Sequence, residues 1–365
     1  MSIQSTHRPG RPHPALSRRA LLAGTAAGAV GLSLAACGKG KKAGSQADSK
    51  TVTVVTHDSF HVSENLQKAF TSETGYTLKI ATSGDAGALV NKLVLTKDAP
   101  LGDAVFGIDN TYATRALDQG VIDTSATVTL PKGAESYVVA DTPALAPIDV
   151  GDVCLNIDTG YFTGKGLTPP ATFEDLTKPE YKGLLVAINP TNSSPGMAWL
   201  LATIGHFGAG SFADYWKQLM ANGARIAEDW SAAYETDFSG SGKGTYPIVV
   251  SYASSPSFTV SKDKSSSTTS ALLDTAFRQV EYAGVLKGAA NPEGGKAFVE
   301  WMLSKAVQED IPGQMYMYPV LPDAALPEAL TKFGPLSKSP VKVEPKEITT
   351  HREEWLNTWT EAVGK

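Results

Sequence analysis

The residues best suited to chemistry in this chain lie in the stretch 229–258, DWSAAYETDFSGSGKGTYPIVVSYASSPSF. A carboxylate and an indole are adjacent at Asp229 and Trp230, and Tyr234 follows one helical turn after the Trp. A Gly/Ser loop at 239–244 leads into an apolar strand at 248–250, which delivers Ser251, Tyr252, Ser254 and Ser255 at its end. Stacking faces and a few fixed hydroxyls suit a flat, polar or cationic small molecule. Any one of Trp230, Tyr234 or Tyr252 alone reads as a core aromatic; their grouping is what points to a site.

The elements that would position such a site alternate along the chain. Residues 52–55, 76–81 and 104–108 have strand-like apolar runs. Helical patterns follow them, to about residue 70, over 86–96 and over 111–119. Three βα units in a row predict a parallel sheet, whose ligands bind beyond the carboxyl ends of the strands. Those ends carry Asp58 and Ser59, Asp85, and Asp109 and Asn110. Carboxylates on one rim suit a cationic ligand or a metal, although Asp at a strand end serves equally well as a helix cap.

In the second half, a strand at 150–157 is placed to cross between domains, and residues 169–176 resemble a helix start with Thr172 as its cap. A buried strand at 184–188 ends in NPTNSSPG, followed by a helix over 197–207. Ser194 as N-cap with Pro195 at the first helical position is a favoured start. The free N–H groups there also seat an anion or a phosphate, with plain capping the simpler alternative. Residues 277–286 read as a strand, 292–303 and 306–310 as helices, and 316–319 as an aromatic loop containing Tyr316. The chain closes on a helix over 346–363 whose Trp355 and Trp359 belong to the core. The run SKDKSSSTTS at 261–270 reads as a mobile surface loop.

The chain has 365 residues, 42% hydrophobic and 19% charged, with a formal net charge of −5. Residues 1–36 hold four Arg and no acid, which leaves 28 basic against 37 acidic residues, a net charge of −9. That acidity argues against nucleic acid or an anionic membrane surface as partner. Arg18 and Arg19, an Ala/Gly-rich apolar run at 23–32 and Leu34-Ala35-Ala36-Cys37-Gly38 form a leader that resembles a bacterial lipobox, with Cys37 the lipidated residue. Residues 1–37 are expected to be the signal and 38–50 a flexible tether. Cys154, the other of two cysteines, is expected to be a buried free thiol. No metal spacing, cofactor motif or G-x-S-x-G is present, and the histidines at 57, 61, 206 and 351 lack a motif linking them to a nucleophile. Neither an enzyme nor a cofactor is expected.

Several blocks in order carry a family resemblance: VVTHDSF, VFGIDNT, INPTNSSPG, DWSAAY, VVSYASSPSF and IPGQMYMYPV. From residue 51 to the C-terminus the chain resembles the periplasmic thiamine-binding proteins of ABC importers. The resemblance implies an α/β, two-lobed type II periplasmic-binding-protein fold with the ligand in the cleft between lobes. It implies capture of thiamine or a thiamine phosphate by a monomer and delivery to an ABC permease, outside the cytoplasmic membrane and held there only by a lipid anchor. It carries over Asp58, Ser59, Asp109, Asn110, Ser194, Trp230, Tyr234 and Tyr252. Where relatives have aromatics, this chain has His57 for a Tyr, Phe258 for a Tyr and Tyr316 for a Trp. The expected lobes are 51–149 with 270–325, and 150–260 with 326–365. Ferric iron or a polyamine is the alternative ligand for the same fold.

Overall fold

Alternating apolar residues in VTVVT give the first of three βα units: β1 (Thr51–Thr56), α1 (Glu64–Thr74), β2 (Thr77–Thr82), α2 (Ala86–Leu95), β3 (Ala104–Asp109) and α3 (Ala113–Asp118). The computed structural model describes residues 50–364, so the leader, Cys37 and all of the tether but Lys50 lie outside the described residues. β1 pairs in parallel with both β2 and β3. Central position explains the burial of every residue of β3, whereas the outer strand β2 is half-exposed.

Next come β4 (Ala146–Asp158), α4 (Thr159–Lys165), β5 (Leu185–Ile188), α5 (Ser194–Phe207), α6 (Phe212–Ala221), β6 (Arg225–Ala227) and β7 (Ile248–Tyr252). The chain ends with β8 (Thr269–Val285), α7 (Pro292–Met302), α8 (Lys305–Met315), β9 (Tyr318–Pro319), α9 (Glu328–Phe333) and α10 (Pro345–Val363).

The sheet order is β2-β1-β3-β8-β4-β7-β5-β6, with β9 beside β4. Its spine is the long antiparallel ribbon of β4 and β8. β3 joins that ribbon only at residues 281–285 of β8, while β7 joins it only at residues 153–157 of β4. Each end of the ribbon therefore carries its own parallel wing: β1, β2 and β3 on one, β5, β6 and β7 on the other. This is the α/β, two-lobed arrangement that the family resemblance implies. Pairing slips between Pro147 and Asp149 and again between Val153 and Leu155. Pro147, with no N–H to donate, accounts for the first irregularity.

The second wing holds an aromatic core in which Trp216 lies edge-on to Trp199 and to Trp359, at 5.1 and 5.6 Å between centroids. Trp216 Nε1 is satisfied by Thr203 Oγ1 at 3.0 Å, as a buried indole requires. Trp355 and Trp359 are core residues. Cys154 is a buried free thiol, and burial pushes its pKa well up, which leaves it inert. No helix among the described residues is long and apolar enough to cross a membrane.

Several local expectations need correction. α5 begins at Ser194 and its N-cap is Ser193, so Pro195 falls one position deeper in the first turn. The Thr172 segment makes only a 3-10 turn, Glu174–Thr177. Ala232–Asp237 is a π-helical turn. α8 extends to Met315, carrying Pro312 inside it. β8 starts at Thr269, so the end of the supposed surface loop is strand.

Candidate functional site

The carboxyl ends of β1, β2, β5 and β6 and the last residue of β7 converge on a cavity of about 380 Å³. That volume lies in the usual range for small-ligand pockets, about 300–1,000 Å³. Asp58, Ser59, Asp85, Ser194, Trp230, Tyr252 and Tyr316 line it, so residues far apart in sequence and from both wings share one wall.

On the first wing, the loop after β1 is tied to the loop after β2. Asp58 N donates to Gly84 O, and Asp58 Oδ1 accepts from Gly84 N, each at 3.0 Å. The φ of +76° at Gly84 allows that turn. Asp85 caps α2 by accepting from Ala86 N at 2.7 Å and also faces the cavity, so it is placed for both roles that the sequence left open. Burial pushes its carboxyl above the usual range.

Asp109 and Asn110 are placed behind the cavity. Asp109 Oδ1 accepts from the N–H and the hydroxyl of Thr111, each at 2.7 Å, and Asn110 bridges to Val280 and Arg278 on β8. Asp109 is fully buried, its Oδ2 has no partner, and burial raises its pKa to about 7. An unfolded Asp titrates near about 3.9. Between those two values the folded chain holds a proton that the unfolded chain has lost. Stability contributed by this group is therefore intact at low pH and falls as pH rises toward 7. Relative to wild type, Asp109→Asn should gain stability as pH goes from 5 to 8. Melting temperatures of both proteins across that window check this; a constant offset would show that Asp109 does not titrate there.

The second wing supplies the rings. Trp230 stacks on Tyr234 at 5.1 Å and 12°, and Tyr234 stacks in turn on Phe238 at 5.6 Å. Tyr234 thus backs one face of Trp230 and does not line the cavity. Trp230 Nε1 donates to Ser251 Oγ at 3.0 Å, which fixes the ring plane. Tyr252 and Tyr316 flank it at 6.5 and 6.0 Å. Tyr316 adopts φ +64°, a conformation uncommon for a residue with a side chain. That backbone ends α8 and lays the Tyr316 ring on Phe258, 3.6 Å between centroids. Ser194 brings the start of α5 to the cavity with its hydroxyl buried and unpartnered, while Ser193 faces the Asp85 carboxyl. A helix start with such a hydroxyl can receive a ligand's polar tail.

The cavity wall also contains residues that sequence reasoning did not single out as ligand contacts: His61, Glu235, Glu281, Gln314 and Met317 among them. Glu281 is the telling one. It is an acid in the middle of the buried strand FRQVEYAGV, and a carboxylate in such a run was the available signal. With it, four carboxylates line the cavity (Asp58, Asp85, Glu235 and Glu281), and no Lys or Arg does so among the described residues. No group of three or more His, Cys, Asp or Glu among the described residues is placed to hold a metal ion.

Comparison with known proteins follows the same line. The profile of the bacterial extracellular solute-binding proteins matches residues 103–334. The thiamine-binding periplasmic protein of Salmonella typhimurium is 27% identical over 326 residues, covering 86% of this chain and 94% of that one. A solved periplasmic thiamin binding protein superposes with a TM-score of 0.74 at 25% identity, covering 86% of this chain and 96% of that one. Iron-bound HitA from Pseudomonas aeruginosa shares the fold, with a TM-score of 0.63 at 20% identity over 86% of this chain and 99% of its own.

Proposed function

Because the chain belongs to the bacterial extracellular solute-binding proteins, we propose that it captures thiamine, or a thiamine phosphate, and hands it to an ABC permease without chemical turnover. One observation carries this reading. The cavity sets the rings of Trp230, Tyr252 and Tyr316 beside four carboxylates, with no Lys or Arg among the described lining residues. Thiamine combines a fixed thiazolium cation with an aminopyrimidine and a hydroxyethyl tail. Each aromatic face attracts such a cation by about 0.5–2 kcal/mol. Carboxylates withdrawn from water oppose the charge more strongly than exposed ones. The Ser194 hydroxyl at the α5 start suits the tail or its phosphate.

We assign the lobes to 51–149 with 270–325 and to 150–260 with 326–365, and the ligand to the cleft between them. We read the order of leader features as export across the cytoplasmic membrane with a lipid anchor on Cys37, and we take the mature protein to be a monomer.

The test is calorimetry on protein made without residues 1–37, alongside mass spectrometry of whatever small molecule copurifies. Thiamine should bind at a single site with no product formed. Absence of thiamine binding together with tight binding of ferric iron or spermidine would overturn the reading.

A further inference from the structure

At the back of the cavity lies a pair of ionisable residues with an uncommon arrangement. Glu281 is 5% exposed and His57 is 6% exposed, and both line the cavity. His57 Nε2 sits 3.3 Å from Glu281 Oε1, yet it completes no well-aligned hydrogen bond. On the other side of the ring, Ser59 N donates to Nδ1 at 3.1 Å. The imidazole packs on Phe106, 5.4 Å between centroids, and over Gly107, where a Cβ would collide with the ring. The ring is thus fixed in place with one edge toward Glu281.

Other ionisable groups reach the pair from several elements. Asp58 comes from the His57 loop itself, and Asp85 from the start of α2. Asp149 on β4 and Asp109 on β3 lie directly opposite Glu281 in the strand registers. Gln279 Nε2 donates to Glu281 Oε1 at 3.3 Å, and Tyr252 OH donates to Gln279 Oε1 at 3.3 Å. His61 lines the same cavity. Both Asp149 oxygens are buried without a donor. Burial and the neighbouring Glu281 push Asp149 well above the carboxylate range, so it stays protonated. Asp109 is likewise buried. That leaves Glu281 as the deep carboxylate facing the cavity.

We infer that Glu281 is the deep anchor for the ligand's positive charge and that His57 is its resident counter-ion, which the ligand replaces by expelling one proton to solvent. The inference rests on the cationic-ligand reading above. The exchange turns on the protonation state of one ring. The neutral ring keeps its proton on Nε2 toward Glu281 and accepts from the Ser59 N–H at Nδ1, as the observed contact requires. The protonated ring carries a second proton on Nδ1 and gives up that contact for a full charge beside Glu281. Burial opposes that charge, and Glu281, Asp85 and Asp58 outweigh it, so the pKa of His57 is raised when no cation is present. A ligand cation supplies the same positive charge, and the two compete for one carboxylate. Affinity for a cation should then climb with pH through the titration of His57 and level off above it. A neutral ligand of the same shape gains nothing from that competition.

Calorimetry in two buffers of different ionisation heat reads the proton directly. Wild type binding thiamine should release up to one proton, with affinity rising by at most about tenfold per pH unit while the ring is protonated. His57→Gln should release none, and its affinity should be flat over about pH 6–8, where histidine titrates. Glu281→Gln should weaken thiamine by about tenfold or more. It should leave a neutral analogue, with carbon in place of the quaternary nitrogen, nearly unaffected. If Glu281→Gln does not fold, the loss of proton release in His57→Gln carries the test. Wild-type binding of thiamine with no proton released and no pH dependence would overturn the inference. Failure of wild type to bind thiamine at all would instead remove the proposed ligand. The pair is then decided by the NMR titration of the His57 ring in ligand-free protein. A lower pKa in Glu281→Gln supports the pairing, and an unchanged one overturns it.

Discussion

Trp230→Ala should weaken thiamine binding by about 2–4 kcal/mol, the cost of removing a central aromatic anchor, or roughly 30- to 1,000-fold in Kd. The geometry explains why one ring should matter so much. One face of Trp230 is covered by Tyr234, its N–H is held by Ser251, and the cavity takes what remains. The ring is therefore fixed before the ligand arrives, and little freedom is lost on binding. Folding should suffer less, because Trp230 is only partly buried and Ser251 keeps its contact with Ser255 Oγ at 2.9 Å. Trp230→Phe, which keeps a smaller ring, should fall between. The measurement is a thiamine titration of all three proteins with melting temperatures alongside. An unchanged affinity in Trp230→Ala would return the residue to the core.

The largest expected loss of stability lies behind the site, in the ribbon. Asp152 on β4 faces Arg278 on β8 directly in register. Arg278 Nε and Nη2 reach the two Asp152 oxygens at 2.8 and 2.9 Å, a bidentate pair. Ser337 N donates to the same carboxylate at 2.6 Å, and Ser337 O accepts from Arg278 Nη2 at 3.0 Å. Asp152 is 0% exposed. Arg278→Met would leave that carboxylate buried with a single donor, at a cost of about 3–5 kcal/mol. Chemical denaturation should show a lower midpoint at unchanged slope. Adding Asp152→Asn should recover part of the loss, since the stranded charge disappears. A loss below about 1 kcal/mol in the single variant would contradict the buried-pair account, because that is the value of an exposed pair.

The sequence made the first wing readable because its strands are short, apolar and each followed by an amphipathic helix, so period and turn agree. The same cues do not reach β8. Its first residues, 269–272, pair with β4 alone, since β3 meets β8 only at residues 281–285. An edge tolerates the Ser- and Thr-rich composition that reads as loop. Ser193 and Ser194 compete for one capping role, and only the backbone decides between them. Within the site, Trp230 and Tyr252 stood out by residue type and company. Glu281 did not, because its partners Asp149, Asp109 and His57 are between 132 and 224 residues away and meet it only through strand pairing or loop placement. Asp109 illustrates the converse: an acid at a strand end has the pattern of a ligand contact, but its oxygens are turned to Thr111 and inward.

The route of the ribbon also governs the order in which the molecule is built. β3 reaches its second neighbour only when β8 has been made, more than 170 residues later. The wing that comes first in the chain is thus finished almost last, and its sheet edge stays open through most of synthesis. Pairings of such long separation form slowly and leave strand edges exposed meanwhile. Truncation anywhere before Val285 would deprive β3 of part or all of that neighbour and the first wing of its join to the second. The ribbon joins the two wings into one sheet, and that join is complete only once residue 285 has been made.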